Sequence, residues 1–196
     1  MQLPVVRSAT DTERNRALQT VVLGFAADPL IRWLLSNAAD YLDTAYAFFD
    51  AFGGGAVTAG SAYVSTNFEG TALWLPPGIE PDTATILPLL NDALAPERLG
   101  EALQVFSEMG EYHPAEPIWY LPLIAVDPAH QGRGLGSALM KHALAICDET
   151  QNPAYLESSN PNNMSLYERH GFESLGRIQF GSSPPVHPML REPRKS

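Results

Sequence analysis

The most constraining feature of the sequence is an apolar run that leads into a glycine-rich segment. Residues 118–126 are almost all apolar, which predicts a buried strand, and residues 131–137 carry glycines at three alternate positions. Leu135, Leu139, Ala143 and Ile146 then recur at helical spacing. A strand that turns through glycines into a helix presents free amides at the helix start, where the backbone can approach an anion such as a pyrophosphate closely. We therefore expect a β–turn–α unit with an anion site, to which Arg133 would add a positive charge.

Two other phosphate-binding motifs were compared with this segment. A Walker loop closes with Gly-Lys-Ser/Thr, and that tripeptide does not occur. A Rossmann dinucleotide fingerprint is closer, because a strand precedes the glycines and Glu157 ends the next strand near the place of a ribose-binding acid. However, five residues separate Val126 from Gly132, and little chain follows for a doubly wound sheet. A Rossmann-like NAD(P)-dependent oxidoreductase therefore stays open as an alternative function.

Short strands and helices are predicted along the rest of the chain. The ranges expected to form strands are 4–8, 57–66, 70–75, 154–158, 172–180 and 186–190. Helices are expected from about Thr10 to Asp28, from Asn37 or Asp40 to Phe52, and over 162–170. Between 82 and 109, two or three short helices would be interrupted at Pro88 and Pro96. No repeat or linker divides the chain, so residues 1–196 are expected to form one domain.

Composition narrows the class of protein. The single cysteine, Cys147, excludes an intramolecular disulfide and Cys-based metal clusters, and an unpaired thiol suits a cytoplasmic protein. A net charge of −10 argues against nucleic acid as a partner and favours a cationic small molecule. No apolar run is long enough to cross a membrane, so no membrane partner is expected. The oligomeric state is left open.

Two ordered blocks of sequence resemble the GNAT superfamily of N-acetyltransferases. The first is Leu123–Ser137, which contains that family's Gln/Arg-x-x-Gly-x-Gly/Ala signature, and the second runs from Tyr155 to Phe172 and contains Tyr-x-x-x-Gly-Phe. Within the superfamily, the segments around Trp74, Trp119 and Glu157 most resemble puromycin N-acetyltransferase and its relatives. The resemblance implies an α/β (α+β) fold: a single GNAT-type domain with a mixed, mostly antiparallel sheet of six to seven strands, helices on both faces and a V-shaped splay.

The resemblance also implies the cosubstrate and its binding residues. Acetyl-CoA would lie along the buried strand and glycine turn, and no metal is expected. The implied cofactor-binding residues are Ile124, Ala125, Val126, Gln131, Gly132, Arg133, Gly134, Leu135, Gly136, Ser137, Asn160 and Asn163. A non-catalytic CoA-binding regulatory module would keep this turn and lose the acid and base, so it is a second alternative to an enzyme.

Tyr167 and Glu157 are the expected catalytic residues of a direct acetyl transfer to a primary amine. Tyr167 aligns with the family tyrosine that protonates the departing thiolate, and a phenol remains protonated at neutral pH. Many relatives carry a glutamate near the position of Tyr120. Because this chain does not, Glu157 is the first candidate for the base; a buried carboxylate there would have a raised pKa.

The acceptor is expected to be a small cationic amine, such as an aminonucleoside, a polyamine or an aminoglycoside, because the chain is strongly acidic. Trp119, Tyr120 and His113 are the candidate substrate-binding residues. Trp119 and Tyr120 point to opposite faces of one strand, so only one of them can face the acceptor.

Overall fold

The computed structural model describes residues 4–194, which form one mixed seven-stranded sheet. Its strands are β1 (Val6–Ser8), β2 (Ala62–Ser65), β3 (Gly70–Leu75), β4 (Trp119–Val126), β5 (Ala154–Ser158), β6 (Glu173–Ser174) and β7 (His187–Arg191). They lie in the order β1-β2-β3-β4-β5-β7-β6, and only β4 and β5 run parallel. The predicted fold class is confirmed.

Eight helices cover the two faces of the sheet within this described range. They are α1 (Arg14–Gly24), α2 (Pro29–Leu34), α3 (Ala38–Gly53), α4 (Gly55–Thr58), α5 (Thr83–Ala93), α6 (Pro96–Tyr112), α7 (Leu135–Thr150) and α8 (Met164–Arg169). Helices α1 to α6 build the apolar core on one face, and α7 and α8 build the core on the other. None of the helices among residues 4–194 is both long enough and apolar enough to span a bilayer.

The central feature of the sheet is a splay between β4 and β5. These strands pair only at Trp119↔Ala154 and Tyr120↔Tyr155, near the start of each strand. On the other side of β4, Leu73 pairs with Leu123 and Leu75 pairs with Tyr120. Between these two pairs β3 advances by two residues and β4 by three, so β4 contains a bulge. This bulge contains Pro122, which has no N–H to give to a ladder. The expected V-shaped opening is therefore present from Leu121 onwards.

Several local predictions differ from the structure. Helix α2 was not predicted: Pro29 opens it, and the Asp28 carboxylate caps it by accepting the Leu30 and Ile31 amides at 3.0 and 3.1 Å. Residues 57 and 58 belong to α4 rather than to a strand, so β2 starts only at Ala62.

Two later predictions are confirmed only in part. Of the strand predicted over 172–180, only β6 and an isolated bridge between Ile178 and Val186 form. Pro88 does not interrupt α5, whereas the predicted interruption at Pro96 is present, because Pro96 starts α6.

Candidate active site

A groove of about 310 Å³ runs along β4 and the start of α7. Ten of the twelve residues expected to bind the cosubstrate line it: Ile124, Ala125, Val126, Gln131, Gly132, Gly134, Leu135, Gly136, Ser137 and Asn163. Asn163 and Tyr167 close it from the side of α8. The structure thus brings residues from two separate sequence blocks to one surface.

The glycine turn is open and held in a left-handed backbone. Gly132 and Gly134 have φ angles of 75° and 82°, and an added Cβ at either position would meet no atom within 4 Å. Glycine adopts these angles without the steric cost that other residues incur. Because the space beside both residues is empty, a ligand can approach the turn and the N-terminal amides of α7.

The edge of β4 that faces the splay carries unpaired amides. Along a strand, neighbouring residues point their N–H and C=O groups to opposite edges. The Asp127 N–H donates to the Glu69 carbonyl at 2.8 Å, on the β3 side, so Ile124 and Val126 point to the other edge. The Gln131 side chain bonds the Val126 carbonyl on that edge at 3.4 Å. An extended ligand in the groove can therefore form backbone hydrogen bonds with β4, in the way that a neighbouring strand would.

Tyr167 lies where the groove meets the splay. It is buried on α8 and lines both the groove and a smaller cavity of about 30 Å³ inside the splay. Burial raises the pKa of Tyr167, and the carboxylate of Asp28 raises it further. The phenol is therefore protonated at neutral pH.

Glu157 borders the same small cavity from the opposite layer of the sheet. On β5, Leu156 packs with α7 and α8, while Tyr155 and Glu157 point to the other face. Burial raises the pKa of Glu157 to about 7, against the lowering influence of the Tyr120 and Tyr155 hydroxyls. The Tyr155 hydroxyl has no partner at normal hydrogen-bond geometry within the described chain, so the contact that it makes with the carboxyl group is weak. Burial is therefore the dominant influence on the Glu157 pKa.

A larger cavity of about 350 Å³ opens on the far side of Glu157. Tyr120 and His113 line it, and their rings meet edge to face at 5.1 Å. Burial lowers the pKa of His113. The cavities therefore follow one another in space: the groove shares Tyr167 with the splay cavity, and the splay cavity shares Glu157 with this larger one.

Three expected site residues lie away from these cavities. Trp119 faces the α7 side, where its indole N–H donates to Thr150 Oγ1 at 3.1 Å, so Tyr120 is the one of the pair that faces the larger cavity. The Arg133 guanidinium turns back to the Ala129 carbonyl at 3.5 Å. The Asn160 carboxamide oxygen accepts the Asn162 N–H at 3.0 Å. The structure does not bring these three side chains into the cavities.

Several residues in the site were not found from the sequence. Gly24, His130, Leu166 and Arg169 line the groove. Ser159 borders the splay, and its hydroxyl donates to Asp28 Oδ2 at 2.7 Å, across 131 positions of sequence. Asp28-Pro29 is a signal for a helix start, but no sequence pattern indicates this contact.

Comparisons with known proteins find acetyltransferases that are similar to this chain. Residues 102–172 match the model of the Acetyltransferase (GNAT) family. An uncharacterised N-acetyltransferase of Schizosaccharomyces pombe is 26% identical over 91% of this chain and 79% of its own length.

Solved structures share the fold over nearly the whole chain. A Corynebacterium glutamicum structure, described as histone acetyltransferase HPA2 and related acetyltransferase, is 25% identical with a TM-score of 0.68 and covers 100% of this chain and 99% of its own. A Drosophila melanogaster polyamine N-acetyltransferase is 14% identical with a TM-score of 0.66, over 96% of this chain and 99% of its own; this likeness shows the fold alone. The match over residues 102–172, the relative and the shared fold together identify the chain as an acyltransferase that is similar to members of the GNAT superfamily.

Proposed function

We propose that this chain transfers an acetyl group directly from acetyl-CoA to the primary amine of a small cationic acceptor. The observation that carries the proposal is a row of three cavities in which Tyr167 lines both the groove and the splay cavity, and Glu157 lines both the splay cavity and the larger cavity. Two reactants that enter from opposite sides would meet between an acid and a base.

The groove fits the cosubstrate in three respects. The outward amides of Ile124 and Val126 suit the amide groups of a pantetheine chain, and the open turn at Gly132 and Gly134 suits a pyrophosphate. Arg169 lines the same groove and supplies a cation beside it. We assign Ala125, Gln131, Leu135, Gly136, Ser137 and Asn163 to this site as well. Contacts from Arg133 and Asn160 would need their side chains to turn from the partners they have now.

When bound, acetyl-CoA supplies the acetyl group as a reactive thioester. Glu157 takes a proton from the ammonium group of the acceptor, directly or through a water molecule, so that the neutral amine can attack the thioester carbon; its pKa of about 7 suits a base at neutral pH. Tyr167 gives its hydroxyl proton to the sulfur that leaves, and the second proton that the nitrogen loses as the amide forms restores the Tyr167 hydroxyl. The carbon–nitrogen bond forms as the carbon–sulfur bond breaks. In this scheme the Glu157 and Tyr167 side chains move the protons, and no step requires a metal ion.

Neither alternative is favoured. A Rossmann oxidoreductase needs a largely parallel, doubly wound sheet, and here one of the six strand pairings is parallel. A CoA-binding module without catalysis would not need a carboxylate with a pKa of about 7 beside a buried tyrosine.

Two finer points belong to the same proposal. The likeness to puromycin N-acetyltransferase relatives in the segments around Trp74, Trp119 and Glu157 supports a small-molecule amine rather than a macromolecule. The Drosophila protein that shares the fold forms N-acetylagmatine and so also acts on a small amine. The single cysteine and the use of acetyl-CoA support a cytoplasmic location.

Calorimetric titration tests the cosubstrate. We expect acetyl-CoA to bind saturably and NADH and NADPH to give no binding heat, and we expect a panel of primary amines to release free thiol from acetyl-CoA. Saturable binding of NADH or NADPH without binding of acetyl-CoA would contradict the proposal.

A further inference from the structure

We infer that the acceptor is a primary monoamine on an apolar body, and that amines with several charges are poor substrates. This inference rests on the proposed acetyl transfer and narrows it. The net charge alone favours any small cationic amine. The present inference excludes polyamines and aminoglycosides from the good substrates, because they carry several charges. The argument starts from the cavity of about 350 Å³ on the far side of Glu157, which we call the acceptor cavity.

The wall of the acceptor cavity is apolar over three helices and a loop. Its apolar side chains are Phe52, Pro81, Ile86, Leu87, Phe106 and Met109. The rings of Phe52 and Tyr120 meet edge to face with their centroids 6.4 Å apart. A ligand inside therefore meets hydrocarbon along most of its length.

Charge in the acceptor cavity is confined to its two ends. Glu157 lies at the end that meets the splay. Glu80 is exposed and also borders an outer cavity together with His113, so it lies at the mouth. Among residues 4–194, no Lys or Arg lines this cavity. An acceptor with a carboxylate would be repelled by both glutamates.

The charged ends and the apolar wall of the acceptor cavity together favour an amine with one ammonium group and an apolar body. The ammonium group belongs beside Glu157, because only there can it reach the splay. The rest of the molecule then lies against Phe52, Phe106 and Met109. A second ammonium along that stretch would lose its water without gaining a partner, which is strongly unfavourable.

The volume sets the size of the apolar body. A dry cavity of about 150 Å³ holds a benzene ring. The acceptor cavity, at about 350 Å³, therefore has room for a ring and a short chain, or for an alkyl chain of about six carbons. Amines with an aromatic or hexyl body should fill it.

A series of linear amines tests the apolar wall directly. The kcat/KM for acetyl transfer is measured from 1-propylamine to 1-hexylamine, and we expect a rise of about fourfold per added methylene, as burial of one methylene supports. A series that is flat from propylamine to hexylamine would overturn the inference.

A matched pair tests the second charge. Hexylamine and 1,6-diaminohexane have the same length and differ by one terminal ammonium. We expect kcat/KM to be at least tenfold higher for hexylamine. A diamine that equals or exceeds hexylamine would show that Glu80 anchors a second cation, and would overturn the inference.

Variants on one helix locate the effect. Phe106→Ala should lower the ratio of kcat/KM for hexylamine to that for propylamine by at least fivefold. Leu103→Ala on the same helix, where Leu103 is 41% exposed, should leave this ratio unchanged. Because the ratio compares two substrates in one preparation, partial unfolding cancels. An unchanged ratio in Phe106→Ala would contradict the assigned wall.

The outcomes separate this inference from the proposed function. If the protein binds acetyl-CoA but releases no thiol with any amine, the proposed function fails and the inference fails with it. If amines are acetylated but the diamine is preferred, the inference alone fails.

Discussion

Tyr167 and Glu157 approach one splay from opposite layers of the sheet. Tyr167 comes from the core under α7 and α8, and Glu157 comes from the face covered by α1 to α6. Neither layer alone could place both groups, so the missing β4–β5 pairing beyond Tyr120 is what lets them share a cavity.

Replacing Tyr167 by Phe keeps the ring and removes the proton donor. We expect kcat to fall roughly 100-fold while the affinity for acetyl-CoA stays within twofold, because the hydroxyl acts in the chemical step. Tyr63→Phe is the matched control: Tyr63 is another buried tyrosine, and its ring packs on His142 at 4.7 Å. Pre-steady-state thiol release gives the chemical rate, and a rate near wild type in Tyr167→Phe would return this residue to a packing role.

The raised pKa of Glu157 predicts a pH dependence of activity. A base must be deprotonated, so kcat/KM should fall about tenfold per pH unit below about pH 7. Glu157→Gln should lower kcat/KM and abolish this fall at low pH. Glu173→Gln, at an exposed position on β6, should leave the fall unchanged. A wild-type profile that is flat from pH 5 to pH 7 would rule out Glu157 as the base.

The same pKa predicts a change in stability that needs no substrate. Between about pH 4.5 and 7 the folded protein holds a proton on Glu157 that the unfolded chain has released, so the free energy of unfolding falls as pH rises through this window. At pH 8 Glu157→Gln should therefore be more stable than wild type, by about 3 kcal/mol, and near pH 4.5 the two should be similar. Urea unfolding at both pH values measures the difference. Equal stabilities at pH 8 would mean that the carboxylate is well solvated.

Gly134→Asp tests the glycine turn. The aspartate puts a carboxylate and a Cβ into the open space beside a φ of 82°, and should weaken acetyl-CoA binding by at least ~2 kcal/mol. Gly134→Asn adds a side chain of similar shape without the charge, so the difference between the two variants isolates repulsion. Unchanged calorimetric affinity in a folded Gly134→Asp protein would show that the turn does not hold the cosubstrate.

At the scale of elements, one buried ion pair fixes α8 and its tyrosine. Arg191 on β7 is buried and donates to both Asp148 carboxylate oxygens, at 2.8 and 2.9 Å, and to the His170 carbonyl just after α8. The arginine thus joins the end of α7, strand β7 and the end of α8.

Removing the acidic partner should therefore be costly. Asp148→Ala leaves a buried guanidinium without its carboxylate, and we expect a loss of about 3 kcal/mol in the free energy of unfolding. Glu149→Ala, at the exposed neighbouring position, should change it by less than about 0.5 kcal/mol. Denaturant unfolding of both variants checks this, and equal stabilities would refute the role of the pair.

The elements show which parts of the fold a sequence can predict. β4, the glycine turn and α7 were predicted because apolar burial, left-handed turns and helical spacing are local properties. Helix α2 was missed because its short apolar segment has too few turns to show periodicity. The Asp28–Ser159 contact and the Asp148–Arg191 pair join distant segments, so no local pattern contains them.

For the site, the sequence located the groove better than it located the acceptor side. Alternation along β4 predicts that Trp119 and Tyr120 point to opposite faces, and they do, but it could not say which of them lines the larger cavity. The acceptor wall combines Phe52, Leu87 and Phe106 from three helices, and only their packing brings them together.

The net charge of the whole molecule should attract the acceptor. The chain has a net charge of −10, and Glu80 lies at the mouth of the acceptor cavity. These negative charges attract an ammonium group towards the cavity, and salt shortens the range of that attraction by screening it. We expect kcat/KM for hexylamine to fall at least twofold between 0.02 and 0.2 M salt. Glu80→Gln should flatten this dependence more than Glu97→Gln, which removes the same charge from the start of α6. Equal slopes in all three proteins would contradict local steering.

Identification of the products tests the central claim most directly. Wild-type protein is incubated with acetyl-CoA and hexylamine, and free CoA and N-acetylhexylamine are both quantified by mass spectrometry. The account predicts that they form in equal amounts, at a rate that depends on the amine and falls roughly 100-fold in Tyr167→Phe. A folded protein that binds acetyl-CoA but forms no N-acetylated amine from any primary amine, or one whose CoA release is independent of amine, would contradict it.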